Sequence, residues 1–434
     1  MMKRNVYLTI AYTTKKGKAT IIFSIDPEGD TIPRLVNKIG YSVACRVWVQ
    51  ESSTSYGFSK ITIANNDGKY DWLLEEKIDT IEVADSDISD YGSRTVQATG
   101  LYERGRFDGD RNIEITIKDP KKKMDVKFGG ADFPASETST VSPFPTNDYG
   151  AKEGTPRPFL MNFGYSITPV LLNRSLNEYQ FHDKDAFGIY DVYDNGVSVS
   201  YVNEGSGKFS LSNDPTENGI VTVDARGEEI SGGLDWANFF DEVIEEVFDH
   251  IGWTDYDASN ISSMQSKPDT TGGVYRPKPT FYSHPENSFT QLEILQWMCD
   301  SCTAYNYIDP TGDLIFGYLK KPEDETTFGT IDEFDTVKQF NVFDDTAPKI
   351  TTSVGVTRNW TVLTTEQIAA SVPEEDVHAF TQQWRFVMQS AETLDPFYQP
   401  LNEPQDSLLP GTNQGQDHID NLVDIYSVKR KFKP

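Results

Sequence analysis

The sequence predicts a mainly β protein with a smaller helical part, which is the α+β fold class. Three observations carry this prediction. Short runs of alternating apolar and polar residues fill the first 120 residues, aromatic side chains make up 12% of the 434 residues, and the clearest helical period is confined to one stretch near the middle. Aromatic side chains favour strands, and disordered chains contain few of them. The length allows about two to four domains.

Residues 1–120 are expected to form a β-barrel-like domain. Their alternating runs are typical of half-buried strands, and the close spacing of these runs suggests a small barrel or sandwich. A tight turn, Asn66-Asp67-Gly68, follows one of the runs, because such residues accept the positive φ that the turn needs. The predicted strands are 43–49, 60–64, 80–84, 95–101 and 112–118.

Composition divides the next part of the chain. Residues 121–150 include a stretch rich in Ser, Thr and Pro and are expected to form a linker or exposed loop. Residues 151–230 are predicted to form a β-rich insert module of short strands interrupted by Pro. This module contains a turn at Asn195-Gly196 and a closing strand within 219–227.

Residues 231–345 are expected to form a mixed domain that contains helices and a hairpin. Over 235–251, apolar residues recur at intervals of three and four, with acidic residues between them, which predicts an amphipathic helix capped by Gly252. A second helix is predicted to begin at Ser288, with Gln291 completing a capping box. The hairpin is expected over 304–319.

The last segment, 346–434, is predicted to begin with a strand at 350–357. A polar and helical stretch then runs to about residue 388. The polar region 395–416 and the basic end at 429–433 are expected to form an extended tail.

The charge balance argues against nucleic-acid binding as the main role. The chain has 39 basic and 67 acidic residues, a formal net charge of −28, and such a surface is repelled by phosphate backbones. The acidity fits either a highly soluble surface or a surface that meets a basic partner. The apolar run near the amino terminus is too short and mixed for a secretory signal, and no run reaches the length of a membrane span. We therefore expect synthesis in the cytoplasm and no integral membrane association.

Cys299 and Cys302 form the sharpest chemical motif of the sequence. A CxxC pair can be a redox pair or half of a metal site, but both residues fall on the apolar side of the second predicted helix. Cys packs there as a small hydrophobe, so core packing is the favoured interpretation and a metal site the weaker one. The five histidines are scattered without metal-binding spacing.

The sequence shows neither a GxSxG nucleophile motif nor a phosphate-binding glycine loop. We therefore expect a protein that is not an enzyme, with no catalytic residues and no cofactor. A pair of glycosidase carboxylates is defined by its spatial separation, which a sequence does not display, so this class of enzyme stays open as the minor interpretation.

Five segments resemble, in the same order, segments of the tail-tip and baseplate-hub proteins of long-tailed bacteriophages. The resemblance covers about three quarters of the chain and depends on the order of the segments, since each alone is common. The segments are ITIANNDGKYDWLL at 61–74, the insert region 154–196, GKFSLSNDPTENGIVTVDARG at 207–227, YIDPTGDLIFGYL at 307–319 and VGVTRNWTV at 354–362. Between the third and fourth of them the resemblance also includes two helices, 236–251 and the one that ends at Cys302.

The resemblance implies a structural virion protein. Its fold would consist of tail-tube-like β-barrel or sandwich domains with smaller mixed insert domains, and 346–434 would complete a tube-like domain. In this family, copies form a ring at the distal end of the tail, so a homo-oligomer is expected, with a trimer favoured and a hexamer as the alternative. The implied partners are the tail tube or distal tail protein, the tape-measure protein, and fibre or spike proteins, with no sequence-specific nucleic acid.

The same resemblance gives structural roles to a few residues. Asn66, Asp67, Gly68 and Asp71 are expected to shape the amino-terminal turn, and Trp360 to anchor the carboxy-terminal β segment. Two alternatives stay open. The protein could be a peripheral adaptor or fibre-attachment protein outside the central ring, or, less favoured, a tail-associated cell-wall hydrolase.

Overall fold

The computed structural model of the protein describes residues 4–14, 17–26, 31–36, 41–46, 53–58, 60–87, 94–108, 111–128, 132–133, 154–230, 235–236, 239–264, 267–268, 274–287, 289–309, 312–319, 353–389 and 405–426. Two compact units share the chain. The first comprises Met1–Val126, Thr254–Asn260 and Tyr305–Phe316, and the second comprises Lys127–Trp253, Ile261–Ala304 and Gly317–Pro434. The segment 231–345, predicted as one mixed domain, therefore contributes to both units. Most of the predicted linker 121–150 and the basic end 429–433 lie outside the described residues.

The amino-terminal strands form most of the first unit. Seven of them make one sheet in the order β3-β2-β1-β7-β8-β9-β6, while β4 and β5 join β23 and β24 in a separate sheet of order β24-β23-β5-β4. The strands and their bounds are β1 (Arg4–Thr14), β2 (Gly17–Ser24), β3 (Ile32–Pro33), β4 (Tyr41–Arg46), β5 (Ser53–Phe58), β6 (Ile61–Ile63), β7 (Lys77–Asp87), β8 (Thr95–Phe107), β9 (Ile113–Lys118), β23 (Ala304–Ile308) and β24 (Leu314–Tyr318).

The seven-stranded sheet closes on itself. Residues 34–36 continue from β3 and pair with β6: Val36 N donates to Thr62 O at 3.0 Å, and Ala64 N donates to Arg34 O at 2.8 Å. Because β3 and β6 are the first and last strands of the order, these hydrogen bonds join the two edges. The result is a barrel-like sheet, in which the described first and last strands pair with each other.

The interior of this barrel is apolar. Inward-pointing side chains come from strands that are distant in sequence, as the period of two along each strand requires. The buried cluster consists of Leu8, Ile10, Phe23, Leu35, Ile61, Ile63, Tyr70, Leu73, Ile78, Ile81, Val83, Ile113, Ile115 and Ile117. At ~25 cal/mol per Å² of apolar surface removed from water, a cluster of this kind is the main stabilising feature of the unit.

The remaining strands and the helices follow in chain order. The strands are β10 (Phe159–Met161), β11 (Phe163–Ile167), β12 (Val170–Asn173), β13 (Glu178–Gln180), β14 (Ala186–Asp194), β15 (Val197–Ser198), β16 (Tyr201–Gly205), β17 (Lys208–Leu211), β18 (Val221–Ile230), β19 (Asp235–Trp236), β20 (Lys267–Pro268), β21 (Val274–Tyr275), β22 (Phe281–Ser283), β25 (Ser353–Arg358), β26 (Trp384–Gln389) and β27 (Gln405–Asp406). The helices are α1 (Phe240–Ile251), α2 (Ala258–Ser263), α3 (Gln291–Ser301), α4 (Glu374–Thr381) and α5 (Thr412–Tyr426).

Two sheets of the insert module pack face to face in the second unit. One has the order β11-β18-β14-β15 and the other β12-β13-β17-β16. Their shared apolar cluster consists of Leu160, Ile167, Leu171, Tyr179, Phe181, Val192, Phe209, Leu211, Val221, Val223, Ala225 and Tyr282. A third sheet, β26-β25-β27, carries helix α5 packed against β25 and β26. The prediction of a mainly β, α+β fold is confirmed.

The helices differ in detail from the sequence predictions. Helix α1 begins at Phe240 rather than at residue 235, and Gly252 caps it with a φ of 66°. Helix α3 has its capping box at Thr290 and Glu293, so the box predicted at Ser288 and Gln291 is wrong. Ser288 itself lies outside the described residues. The N-cap is the last residue with extended backbone before the helix begins. An apolar pattern locates that residue only to within one or two positions.

The end of the chain also differs from its predictions. Helix α4 stops at Thr381, and residues 384–389 form strand β26 instead of continuing the predicted helix. Residues 412–416, expected within a polar tail, begin helix α5. Both segments take their structure from pairing or packing with β25, which a local sequence pattern does not reveal.

Candidate functional site

The amino-terminal turn at Asn66-Asp67-Gly68 is held by side chains that precede it and follow it in the sequence. Gly68 has a φ of 69°, and its N–H donates to Asn65 O at 2.9 Å. Asp67 accepts a bidentate pair of hydrogen bonds from Arg34: Nη1 donates to Oδ1 at 2.7 Å, and Nη2 donates to Oδ2 at 2.6 Å. That guanidinium holds the pKa of the Asp67 carboxyl well below its usual range. Since Arg34 belongs to the segment that closes the barrel, the turn is tied to the closure.

Asn65, which the sequence analysis did not single out, is the fully buried residue of this turn. Its Oδ1 accepts a hydrogen bond from Tyr70 N at 2.8 Å, and its Nδ2 donates to Asp71 Oδ1 at 2.6 Å. Asn66 is exposed. The signal that could have identified Asn65 is its position at the start of a turn, where an Asn side chain accepts a later backbone N–H.

Trp360 lies where the carboxy-terminal segment crosses the insert module. Its backbone N–H donates to the backbone oxygen of Tyr165 on β11 at 3.1 Å. The indole ring is edge-on to Phe281 at 5.7 Å, and it packs near Trp297 on α3 at 5.9 Å between centroids. Arg358 places its guanidinium 5.3 Å from the centre of the same ring. Trp360 therefore contacts the insert module, β22 and α3 in one place.

A buried ion pair joins the carboxy-terminal segment to the insert module at the same place. Arg385 on β26 lies 3.2 Å from the carboxylate of Asp224 on β18, and its Nε donates to Asn359 Oδ1 at 2.9 Å. The carboxylate also accepts a hydrogen bond from Ser166 N at 2.7 Å. Both charged side chains are largely buried, 16% and 8% exposed. The pair thus joins two strands of different sheets by a charge-assisted contact.

Rings and guanidinium groups line the face of the β11-β18-β14 sheet opposite its apolar cluster, and Arg385 of β26 reaches onto that face. The ring centroids of Tyr165 and Phe163 are 4.2 Å apart, and those of Phe163 and Tyr190 are 4.7 Å apart. The guanidinium of Arg226 lies 4.7 Å from the Tyr190 ring, which is 48% exposed. We call this surface the arginine–aromatic face; its residues are Phe163, Tyr165, Phe187, Tyr190, Arg226 and Arg385.

Asp224 makes the stability of the protein depend on pH. Burial raises the pKa of its carboxyl above the ordinary value, and Arg385 opposes that effect. The contribution of Asp224 to stability is therefore full below the unfolded-state pKa of about 3.9 and is lost as pH rises through the raised folded-state pKa. We expect the free energy of unfolding of the wild type, minus that of Asp224→Asn, to decrease as pH rises above the unfolded-state pKa of about 3.9. Urea unfolding of both proteins at a series of pH values measures this difference in free energy. A difference that does not change with pH contradicts the expectation.

Cys299 and Cys302 lie at the carboxyl end of α3, and both side chains are completely buried. Tyr318, whose pKa is raised by burial, lies in their neighbourhood. Within the described ranges, no group of three or more His, Cys, Asp or Glu side chains is arranged to hold a metal ion. The thiols thus contribute to an apolar core in the part of the chain that is described.

Two of the histidines come together in the second unit. His182 and His250 both pack against the Phe159 ring, with ring centroids 5.3 and 3.7 Å from its centroid. The Nδ1 atom of His250 lies 3.6 Å from Asp183 Oδ2. His182 Nδ1 accepts a hydrogen bond from Leu160 N at 3.1 Å. Nothing in their sequence spacing indicates this proximity, because it arises from the packing of α1 against the insert module.

Comparisons with known proteins add little to these observations. No protein-family model matches the chain, and no curated protein matches it. Among solved structures, one match is a chain of "Virion of native gene transfer agent (GTA) particle", with 12% identity, a TM-score of 0.21, and coverage of 52% of this chain and 79% of that chain. A superposition this loose carries no argument about fold or function. Among the described residues, no helix combines the length and apolar character needed to cross a membrane.

Proposed function

We propose that the protein is a structural component of a bacteriophage virion, at the distal end of the tail. In this role it joins the tail tube to the tip, fibres or spike and takes part in host attachment and genome ejection. The proposal combines the ordered resemblance to tail-tip and baseplate-hub proteins with one structural observation, the arginine–aromatic face.

The arginine–aromatic face has the chemistry of a protein-binding surface. Tyr, Phe and Arg are the residue types enriched at the centres of protein interfaces, where they form most of the energetic hot spots. Here they form one connected set on one face of a sheet, with Tyr190 48% exposed, in a chain whose net charge is −28. An acidic neighbouring surface would complement the guanidinium group of Arg226.

The proposed partners follow from this role. Copies of the chain would form a ring, with a trimer favoured and a hexamer as the alternative, since a head-to-tail contact that closes makes a ring. The ring would contact the tail tube or distal tail protein, the tape-measure protein, and fibre or spike proteins. Asn66, Asp67, Gly68, Asp71 and Trp360 would act as structural residues, and no residue is assigned a catalytic role.

Two alternatives are separated by direct assays. A peripheral adaptor would bind one tail protein as a monomer and would not form a ring. A tail-associated hydrolase would degrade purified bacterial cell wall, and any such turnover by the purified protein contradicts the structural proposal.

We expect the purified protein to give a discrete trimer or hexamer in light scattering across a range of concentrations. Tyr190→Ser and Arg226→Glu should each weaken this association by about tenfold or more, because truncation of an aromatic or Arg hot spot costs at least about 1–2 kcal/mol. Val202→Ser is the matched control, since Val202 is 52% exposed on β16 and lies outside the face. A monomer at every concentration contradicts self-assembly into a ring and favours the adaptor.

A further inference from the structure

Lys121 is an almost fully buried lysine in the first unit. It belongs to the 3-10 helix Pro120–Met124 and is 4% exposed, whereas its neighbours Lys122 and Lys123 lie at the surface and pair with carboxylates. Its Nζ donates to Asn306 Oδ1 at 2.6 Å and to Asn306 O at 2.8 Å. The amine therefore lies directly against the carboxamide of Asn306, which is 1% exposed.

The backbones of both residues are fixed by local structure. Lys121 N donates to the Asp119 side chain at 2.8 Å, which caps the short helix. Asn306 lies in β23 and pairs with Ser53 on β5. A nucleophile and an electrophile held in contact by two rigid elements react with a high effective concentration, because the entropy of bringing them together is already lost.

Burial also suits the chemistry of a lysine nucleophile. The charged form of a lysine is disfavoured away from water, and the uncharged amine is the form with a free electron pair. The reacting carbon, Asn306 Cγ, is bonded to the oxygen that already accepts a hydrogen bond from Nζ. The amine and the carboxamide are thus adjacent in a shielded site, where water competes poorly.

We propose that Lys121 and Asn306 form an intramolecular isopeptide bond. The neutral Nζ attacks Cγ of Asn306, a new Nζ–Cγ bond forms, and the bond from Cγ to Nδ2 breaks. One proton of Nζ moves to Nδ2, which leaves as ammonia. When the lysine starts as an ammonium ion, its extra proton ends on the released ammonia in water. No oxidation state changes, and no co-reactant is needed.

The bond would link residues that are 185 positions apart in the sequence. Much of the second unit lies within that loop of chain. A covalent link that closes a long loop restricts the unfolded chain, so the cross-linked protein resists unfolding more than the open chain does. This inference stands independently of the proposed place in a virion.

The full-length protein tests the proposal by intact mass measured in denaturant, followed by tryptic peptide mapping. We expect a mass lower than the sequence mass by one ammonia molecule, and a branched peptide that contains both Lys121 and Asn306. Cyclisation at an Asn-Gly sequence also releases ammonia, so the branched peptide is the decisive product. Because both readouts are taken after denaturation, a variant that folds poorly still gives an interpretable mass.

Lys121→Met and Asn306→Ala should each restore the full sequence mass and remove the branched peptide. Lys122→Met is the matched control and should keep both signatures, because Lys122 Nζ contacts Asp125 at the surface. A wild-type chain with the full sequence mass and ordinary cleavage after Lys121 overturns the proposal. So does a wild-type chain that loses ammonia but gives no branched peptide containing Lys121 and Asn306.

Discussion

Replacing Gly227 by alanine is expected to lower the free energy of unfolding of the second unit by about 3 kcal/mol. The new Cβ would overlap the main-chain oxygen of Leu160 and lie 2.6 Å from its carbonyl carbon. These atoms cannot rotate away as a side chain could, because Gly227 N donates to Asn162 O at 2.7 Å and Leu160 lies in β10 paired with β22. Equilibrium unfolding in urea measures the loss.

Gly188→Ala is the control for this substitution. Gly188 lies on β14 in the same sheet, directly opposite Arg226, and a Cβ there would meet no atom within 4 Å. We expect a change within about 1 kcal/mol, in the stabilising direction, since alanine restricts the unfolded chain more than glycine does. Equal unfolding midpoints for Gly227→Ala and the wild type would show that β10 and β18 are not packed as described.

Breaking the buried ion pair with Arg385→Met is expected to destabilise the second unit by about 3–5 kcal/mol near neutral pH. The substitution leaves the Asp224 carboxylate, 8% exposed, without its cation. Removal of Arg385 also removes the opposing influence on the Asp224 pKa, which then rises further. The loss should therefore shrink as pH falls and the carboxyl takes up a proton. Urea unfolding at neutral and acidic pH measures both effects.

Two further variants separate electrostatics from packing at this site. The double variant Arg385→Met with Asp224→Asn should regain most of the lost stability, because neither member of the pair then carries a charge. Lys122→Met breaks the exposed pair with Asp125, and its effect should stay within about 0.5 kcal/mol. If the double variant is no more stable than the single one, the contacts of the Arg385 side chain with Tyr165 and Asn359 outweigh the ion pair.

Local features of the fold could be predicted where a short segment contains its own physical cause. The α1 region has an apolar stripe and a following glycine, and the Asn65–Asp71 region has residues that tolerate a tight turn. Strands β6 and β9 alternate in polarity because one side faces the barrel interior. Strands β1 and β2 were missed because each has two adjacent residues that are both buried, which breaks the alternation that marks a half-buried strand. These residues are Tyr7 and Leu8 in β1 and Phe23 and Ser24 in β2.

The candidate sites depend on contacts between distant residues. Asp224 and Arg385 are 161 positions apart, and Lys121 and Asn306 are 185 apart. Neither pair has a spacing motif, because the free energy that brings its members together comes from burying apolar surface elsewhere in the unit.

The sequence by itself determined the mainly β class, the position of the strongest helix, the tight turn after β6 and the acidic character of the protein. Each of these follows from composition or from a period read over a few residues. Only the tertiary structure decided the closure of the barrel, the capping of α3, the strand at β26, and the residues of the arginine–aromatic face. Those features require strands from separate segments to pair, and pairing is selected by packing and backbone hydrogen bonding over the whole unit rather than by local pattern.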